Sequence, residues 1–505
     1  MANAFATFNN LVNSTTGQAL FVTPTGNAVV PFATINTLAD ILNACAVTGG
    51  GASGDNSVCG NLFYDANPYW NVSSPAPQYS GIPYDTLQAA FEIAQNPSFP
   101  CGSNCAGLQT GNAGYSINGT SMYAMASTAS PFQPILSLTP NDFSLSLNYT
   151  GGGGLTSTSS ASYFALDSAG DLWITNSATN KVTEWNNQGV AMTTTSGYTT
   201  GSLAAPGPIA IDASGNAWIC GQNGLTELNF VGEEQSGSPF GGGGLTTSGC
   251  LNMAIDGSGN IWATNSASVA KFDQYGDAVS PATGYTLAIS PGNSNTATVL
   301  EPLAIDNSGN VWVGVGGVPN GGSGMYLAEL NSSSGQPYEL NPPTQYSNSG
   351  SNFVLASDLT QTQIAADKSG DIWTPNASGP SLSNTTPYPG AGTVEKLDCS
   401  SGGSCPLANP RGIAIDGAGV TWTGNAGTST VAQPNLTEFN PSLNSSPGNV
   451  SSSLANQPLS VAADISGNVW LLLDNNTITE YVGIAAPAVT PLSLAVKKQK
   501  IGAKP

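Results

Sequence analysis

The chain has 505 residues, with 9 Lys and Arg against 30 Asp and Glu, a formal charge of -21 and no histidine. The missing imidazole rules out Ser-His-Asp and Cys-His catalysis and any His-ligated zinc or haem. The scarcity of basic residues, with none before Lys181, makes nucleic acid a poor partner, and none is expected.

Residues 1–140 read as a small helical unit. Phe5, Phe8 and Leu11 suggest a first helix, and Thr34 precedes Ile35, Leu38, Ile41 and Leu42 at helical spacing. Asp85 and Gln88 form a capping pair ahead of Leu87, Ala90, Phe91 and Ala94, while Met122 to Met125 mark a short last helix. Tyr64, Tyr69 and Trp70 form an aromatic cluster expected to anchor this unit on the domain that follows. The eight cysteines fall into local pairs, Cys45 with Cys59, Cys101 with Cys105, Cys220 with Cys250 and Cys399 with Cys405, which suits disulfides and an oxidising compartment better than zinc. No run of 18 apolar residues is present, so no transmembrane segment is expected. The N-terminus has neither the basic nor the apolar region of a signal peptide, so any export signal is expected upstream.

From residue 141 the chain becomes repetitive. Asp-x-x-Gly-x-x-Trp occurs seven times, starting at Asp167, Asp212, Asp256, Asp306, Asp367, Asp416 and Asp464. A short apolar run precedes each copy, as in Ile209-Ala-Ile211, and another strand follows, as in Val182-Thr-Glu-Trp185. The Asp and Gly suit a tight turn, with Asp bonding the turn amides and Gly taking positive φ. Seven large rings at one strand position need neighbouring sheets to cover them, and radial stacking supplies that cover. The expectation is a mainly β chain, a seven-bladed β-propeller over residues 141–483 with an N-terminal helical cap.

The segment from Leu147 to Leu155 resembles that from Gly237 to Leu245, so residues 143–150 are expected to complete the last blade and close the ring. Blade 5 is expected to lack or displace its outer strand, with Lys396 on its third. Residues 484–505 read as an extended basic tail able to pair with a neighbouring subunit's edge.

Asn409-Pro-Arg-Gly-Ile-Ala-Ile-Asp416 resembles the NHL repeat and the related virginiamycin B lyase-like propellers. The resemblance spans roughly residues 145–483 and implies a bacterial secreted or envelope propeller. Members of the lyase branch rely on a histidine as acid and base, and this chain has none. That activity is therefore not carried over.

Nearly half of the acids belong to the repeat. Seven are the turn Asp, Asp171 and Asp371 stand where Asn is usual, and Glu184, Glu227, Glu329, Glu438 and Glu480 share one third-strand position. The turn is similar to a calcium loop without its bidentate Glu, so Ca²⁺ is a secondary reading and no cofactor is otherwise expected. Three enlarged loops, Gly314 to Met325, Thr374 to Gly392 and Gly424 to Asn435, wall one side of the channel mouth. Arg411, the only arginine, Glu301, Asn376, Asn425 and Tyr388 are the candidate ligand-binding residues there. They suit a non-catalytic secreted or cell-surface scaffold for a glycan, peptide or protein. The alternatives are a glycan-active hydrolase or lyase using carboxylates at the mouth, and a self-assembling envelope or filament subunit.

Overall fold

The structure, a computed structural model, describes residues 2–68, 82–99, 117–126, 131–152, 155, 161–193, 196–245, 249–287, 299–316, 325–331, 333–334, 363–376, 381–385, 394–398, 407, 409–427, 434–439, 448–449, 454 and 456–505. It is mainly β, built from small antiparallel sheets with few helices, as in a propeller.

Among the described residues, five helices precede the repeat sheets: Ala2–Leu11, Phe32–Ala46, Val58–Asp65, Thr86–Gln95 and Gly119–Ala126. The last four share a core of their own, in which Ile41, Leu62, Phe63, Ile93, Phe99 and Met122 are buried. The Cys45–Cys59 bridge, with Cα atoms 4.6 Å apart, ties the second helix to the third. Asp85 caps the fourth by accepting from the Gln88 amide at 2.8 Å, and Gln88 reaches back to the Tyr84 amide at 3.1 Å.

The inward face of that helix differs from the expected one. Ala89 and Ile93 are buried, whereas Leu87 is 66% and Phe91 58% exposed. A cap sets where a helix starts; which stripe turns inward depends on where the neighbouring helices lie. Tyr64, 43% exposed, is no buried anchor, and Tyr69 and Trp70 lie outside the described residues. The unit instead meets the sheets where Leu38, Leu42 and Ile93 face Leu145, Val482 and Ile484.

Among the described residues, seven sheets of three or four strands follow the same plan. In the first, Ala161–Leu166 pairs with Leu172–Asn176, which pairs with Lys181–Trp185. The turn between the first two strands is held by the repeat Asp. Asp212 Oδ1, for example, accepts from the Ser214 and Asn216 amides at 2.7 and 2.9 Å, and all seven copies repeat this bonding. The Gly of each turn has φ between 82° and 92°, a region that would strain any side chain.

The repeat tryptophans are buried, and segments beyond the third strand lay a second ring on several of them. Tyr198 stacks on Trp173 at 5.6 Å, Tyr285 on Trp262 at 5.9 Å and Tyr149 on Trp470 at 6.1 Å. Each first strand touches the first strand of the next sheet, and Pro458–Ala463 of the last touches Ala161–Leu166 of the first, so the succession returns on itself. Ser146–Tyr149 adds to Ile478–Tyr481 as the fourth strand of the last sheet.

Two expectations need correction. The enlarged loop after Thr374 holds a strand, Ser381–Thr385, which takes the third place in the fifth sheet and moves Val394–Asp398, with Lys396, to the fourth. A hairpin partner close in sequence outcompetes a more distant one for the same edge. The C-terminal segment is also not an extended tail. It folds back on the turn face of the ring, forms a short helix at Leu492–Lys497 and buries Val489, Ala495, Val496 and Ile501. These apolar side chains gain more from the ring's interior than from solvent, and they are not free to join another subunit.

Cys220 and Cys250 are bridged, with Cα atoms 5.3 Å apart; Cys101, Cys105, Cys399 and Cys405 lie outside the described residues. No described helix is long and apolar enough to cross a membrane.

Candidate functional site

The seven first strands surround a cavity of about 250 Å³. Its wall is apolar along most of its length, with Phe164, Met253, Leu303, Ile413 and Val461 among the lining residues. Val489, Pro491, Val496 and Ile501 of the C-terminal segment close it on the turn side. Several polar contacts hold that plug in place. Ser493 Oγ donates to the Ile211 carbonyl at 2.6 Å, and Asn307 exchanges hydrogen bonds with the Ile501 backbone at 3.2 and 3.1 Å. In the sixth sheet, where Val420 replaces the usual turn Asn, the Ala486 amide donates to Asp416 at 2.9 Å.

Apart from Thr490 and Ser493 of the C-terminal segment, the cavity's polar side chains come from one repeat position, four residues before the Asp. Tyr163, Asn252 and Gln363 stand there in the first, third and fifth sheets. Gln363 ties three sheets together. Its amide nitrogen donates to Ser460 Oγ at 2.7 Å, its carbonyl oxygen accepts from the Val461 amide at 3.2 Å, and its backbone N–H reaches the Arg411 carbonyl at 3.3 Å. The sequence reading missed it; comparing that one position across the seven copies would have exposed it.

Arg411 lies at the end of its strand away from the plugged face. The pairing of Pro410–Ile415 with Thr421–Asn425 slips between Pro410 and Gly412, so Arg411 is the bulged residue, and a bulge re-aims its side chain. The side chain is half-buried, and its guanidinium makes no hydrogen bond or ion pair with any described residue. Beside it, Gly412 leaves no room for a Cβ, which would lie 2.8 Å from Val461 Cγ2.

Glu301 falls in the matching slip of the fourth sheet, between Leu300 and Leu303. Its side chain and that of Asn376 lie outside the described residues, as does Tyr388 altogether. Asn425 must be corrected. It is fully buried, and its amide donates to Asn435 Oδ1 and Thr437 Oγ1, both at 2.7 Å. A side chain at the end of a central strand finds partners on the adjacent strand before it can reach a ligand.

The described cavity wall contains no Asp, Glu, Lys or Arg. Within the sheets, the perturbed carboxylates sit between the turn and the third strand. In the second sheet the Asn216 amide lies between Asp212 Oδ2 and Glu227 Oε1, at 3.1 and 3.0 Å. In the seventh, Asn468 lies between Asp464 Oδ2 and Glu480 Oε1, at 3.0 and 2.9 Å. Burial, and then the neighbouring Asp, push Glu227 up to about 7 and Glu480 up to about 8.

No protein-family model matches this chain, and no curated protein does. Solved structures do. The chain is similar in fold to a catalytically inactive virginiamycin B lyase from Staphylococcus aureus with quinupristin, at 13% identity and a TM-score of 0.48, covering 67% of this chain and 98% of that one. It is also similar to the extracellular domain assigned to a hybrid two component system of B. thetaiotaomicron, at 16% identity and a TM-score of 0.48, covering 74% of this chain and 47% of that one. YCF48 from Cyanidioschyzon merolae matches at 12% identity and a TM-score of 0.41, covering 64% and 95%. The likeness is one of general fold. At these identities and scores it transfers no residue role and no activity.

Proposed function

We propose that this chain is an extracellular seven-bladed β-propeller, flanked by an N-terminal helical cap, that acts as a non-catalytic scaffold binding a glycan, peptide or protein on the face opposite the C-terminal plug. The observation that carries this reading is Arg411: a half-buried guanidinium on a rigid strand bulge, at the end away from the plugged face, with no described protein partner. Such a group favours a ligand oxygen pair that its planar fork can engage, as on a carboxylate. The two disulfides, Cys45–Cys59 and Cys220–Cys250, support an oxidising location. Carboxylate-based glycan chemistry would need a pair of acids facing a cleft, and the described cavity wall offers none.

The test is a glycan and peptide array probed with the intact chain, with Arg411→Ala and with Arg411→Lys. Binding should fall sharply for Arg411→Ala and recover only in part for Arg411→Lys, which keeps the charge and loses the fork. Equal binding by all three proteins would remove Arg411 from the site.

A further inference from the structure

The cluster between turn and third strand varies around the ring, and the first sheet is the one in which all three of its positions are acidic. The second, fourth and seventh sheets combine Asp, Asn and Glu at the three positions, through Asn216, Asn310 and Asn468. The third has Lys271 in place of Glu, and the sixth has Val420 in place of Asn. In the fifth, Asp371 replaces Asn, but strand register puts Asn384 at the Glu position, so one amide is retained. Only the first sheet has three acids: Asp167, Asp171 and Glu184.

These three each offer a carboxylate oxygen, and the oxygens lie within 4.8 Å of one another. Around them stand backbone amides and the Tyr198 hydroxyl, which donates to Glu184 Oε2 at 2.5 Å; among the described residues no cationic side chain acts on Asp171 or Glu184. Where the second and seventh sheets place an NH₂ group between two carboxylates, the first places a third oxygen.

A second observation comes from the indole beside the cluster. In five sister sheets the repeat Trp donates its N–H to Oδ2 of the repeat Asp at 2.9–3.1 Å. Trp173 occupies the same position, opposite Glu184, and is fully buried, yet its N–H has no acceptor. A buried donor left unpaired is costly and calls for an acceptor that the protein does not supply. A hydrated cation satisfies both needs, because it takes the carboxylate oxygens as ligands while one of its waters accepts from the indole.

We propose that Asp167, Asp171 and Glu184 form a Ca²⁺ site that joins the turn to the third strand of the first sheet. An all-oxygen, all-carboxylate set selects a hard divalent cation, and Ca²⁺ accepts irregular geometry with waters completing its shell. The site is independent of the ligand-binding face, since it sits at the turn end of the sheet.

The test uses the full chain stripped with EDTA. Calcium is titrated by calorimetry, Tb³⁺ luminescence is excited through tryptophan, and thermal unfolding is followed with and without Ca²⁺. Asp171→Asn restores the amide found in the sister sheets, and Glu184→Gln is the second variant. The wild-type chain should bind Ca²⁺, unfold at higher temperature with it and give sensitised Tb³⁺ emission that Ca²⁺ quenches. Both variants should lose about tenfold or more in affinity, and Asp171→Asn should unfold in EDTA at a higher temperature than wild type. Absence of Ca²⁺ binding by the wild-type chain, or an unchanged Ca²⁺ response in Asp171→Asn, would overturn the proposal.

Discussion

Tyr149 donates its hydroxyl hydrogen to Glu480 over 2.8 Å, joining strands 331 residues apart in the chain. The same hydroxyl accepts from Asn10 at 3.0 Å, so one side chain connects the N-terminal helix, the last sheet's outer strand and its third strand. Removing that oxygen leaves Glu480 and Asn10 each short of a buried partner. Tyr149→Phe should therefore cost about 1–3 kcal/mol while preserving the ring stack on Trp470. Denaturant midpoints check this, and an unshifted midpoint would mean that the contact contributes nothing to closure.

The raised carboxylates make stability pH-dependent. Glu480 has an ordinary value of 4.5 and is held up at about 8 in the fold, and Glu227 is held up at about 7. An acid with a raised folded value binds its proton more tightly when folded, so stability is fully present below the unfolded value and is lost as pH rises through the folded one. The unfolding temperature in EDTA should therefore fall between pH 5 and pH 8. Glu480→Gln, which resembles the protonated acid, should flatten the profile. A temperature that climbs across this window in the wild-type chain is the contrary result.

The C-terminal segment should behave as part of the core. Ile501 is buried, and its backbone is gripped by Asn307. Ile501→Ala should cost about 2–4 kcal/mol, and removal of residues 484–505 should lower the unfolding temperature further and expose apolar surface to a hydrophobic dye. If the truncated chain unfolds like the intact one, the segment is not a plug.

Asn425 and Arg411 should separate stability from binding. Asn425→Ala strands Asn435 and Thr437 inside the sheet and should cost about 1–3 kcal/mol. Arg411→Ala breaks no described protein contact of the guanidinium and should leave stability within about 0.5 kcal/mol of wild type. Thermal unfolding of the two variants side by side decides the matter; comparable losses would make Arg411 a structural residue.

Much of the candidate site was illegible for a definite reason. Arg411 was noticeable as the only arginine, but Asn425 looked equally available because sequence does not show which amide finds a neighbour first. Gln363 went unnoticed because its partners, Ser460 and Val461, lie about a hundred residues away and two sheets farther round the ring. The helix at Thr86–Gln95 was announced by Asp85 and Gln88, yet its buried stripe was misassigned, since capping is local and packing is not.

The sequence by itself determined the sevenfold unit, because its signals act within a few residues: an Asp that bonds the amides two and four residues ahead, a Gly at positive φ and a Trp that needs cover. It also marked the first and fifth sheets as unusual, through Asp171 and Asp371 where Asn is common. Only the tertiary structure decided that the tail returns to close the ring's turn face, that Ser381–Thr385 takes a place assigned to a later strand, and that Asp167, Asp171 and Glu184 meet beside an unpaired indole. Those outcomes depend on which distant groups compete for the same edge, cavity or hydrogen bond, a competition settled when the whole chain packs.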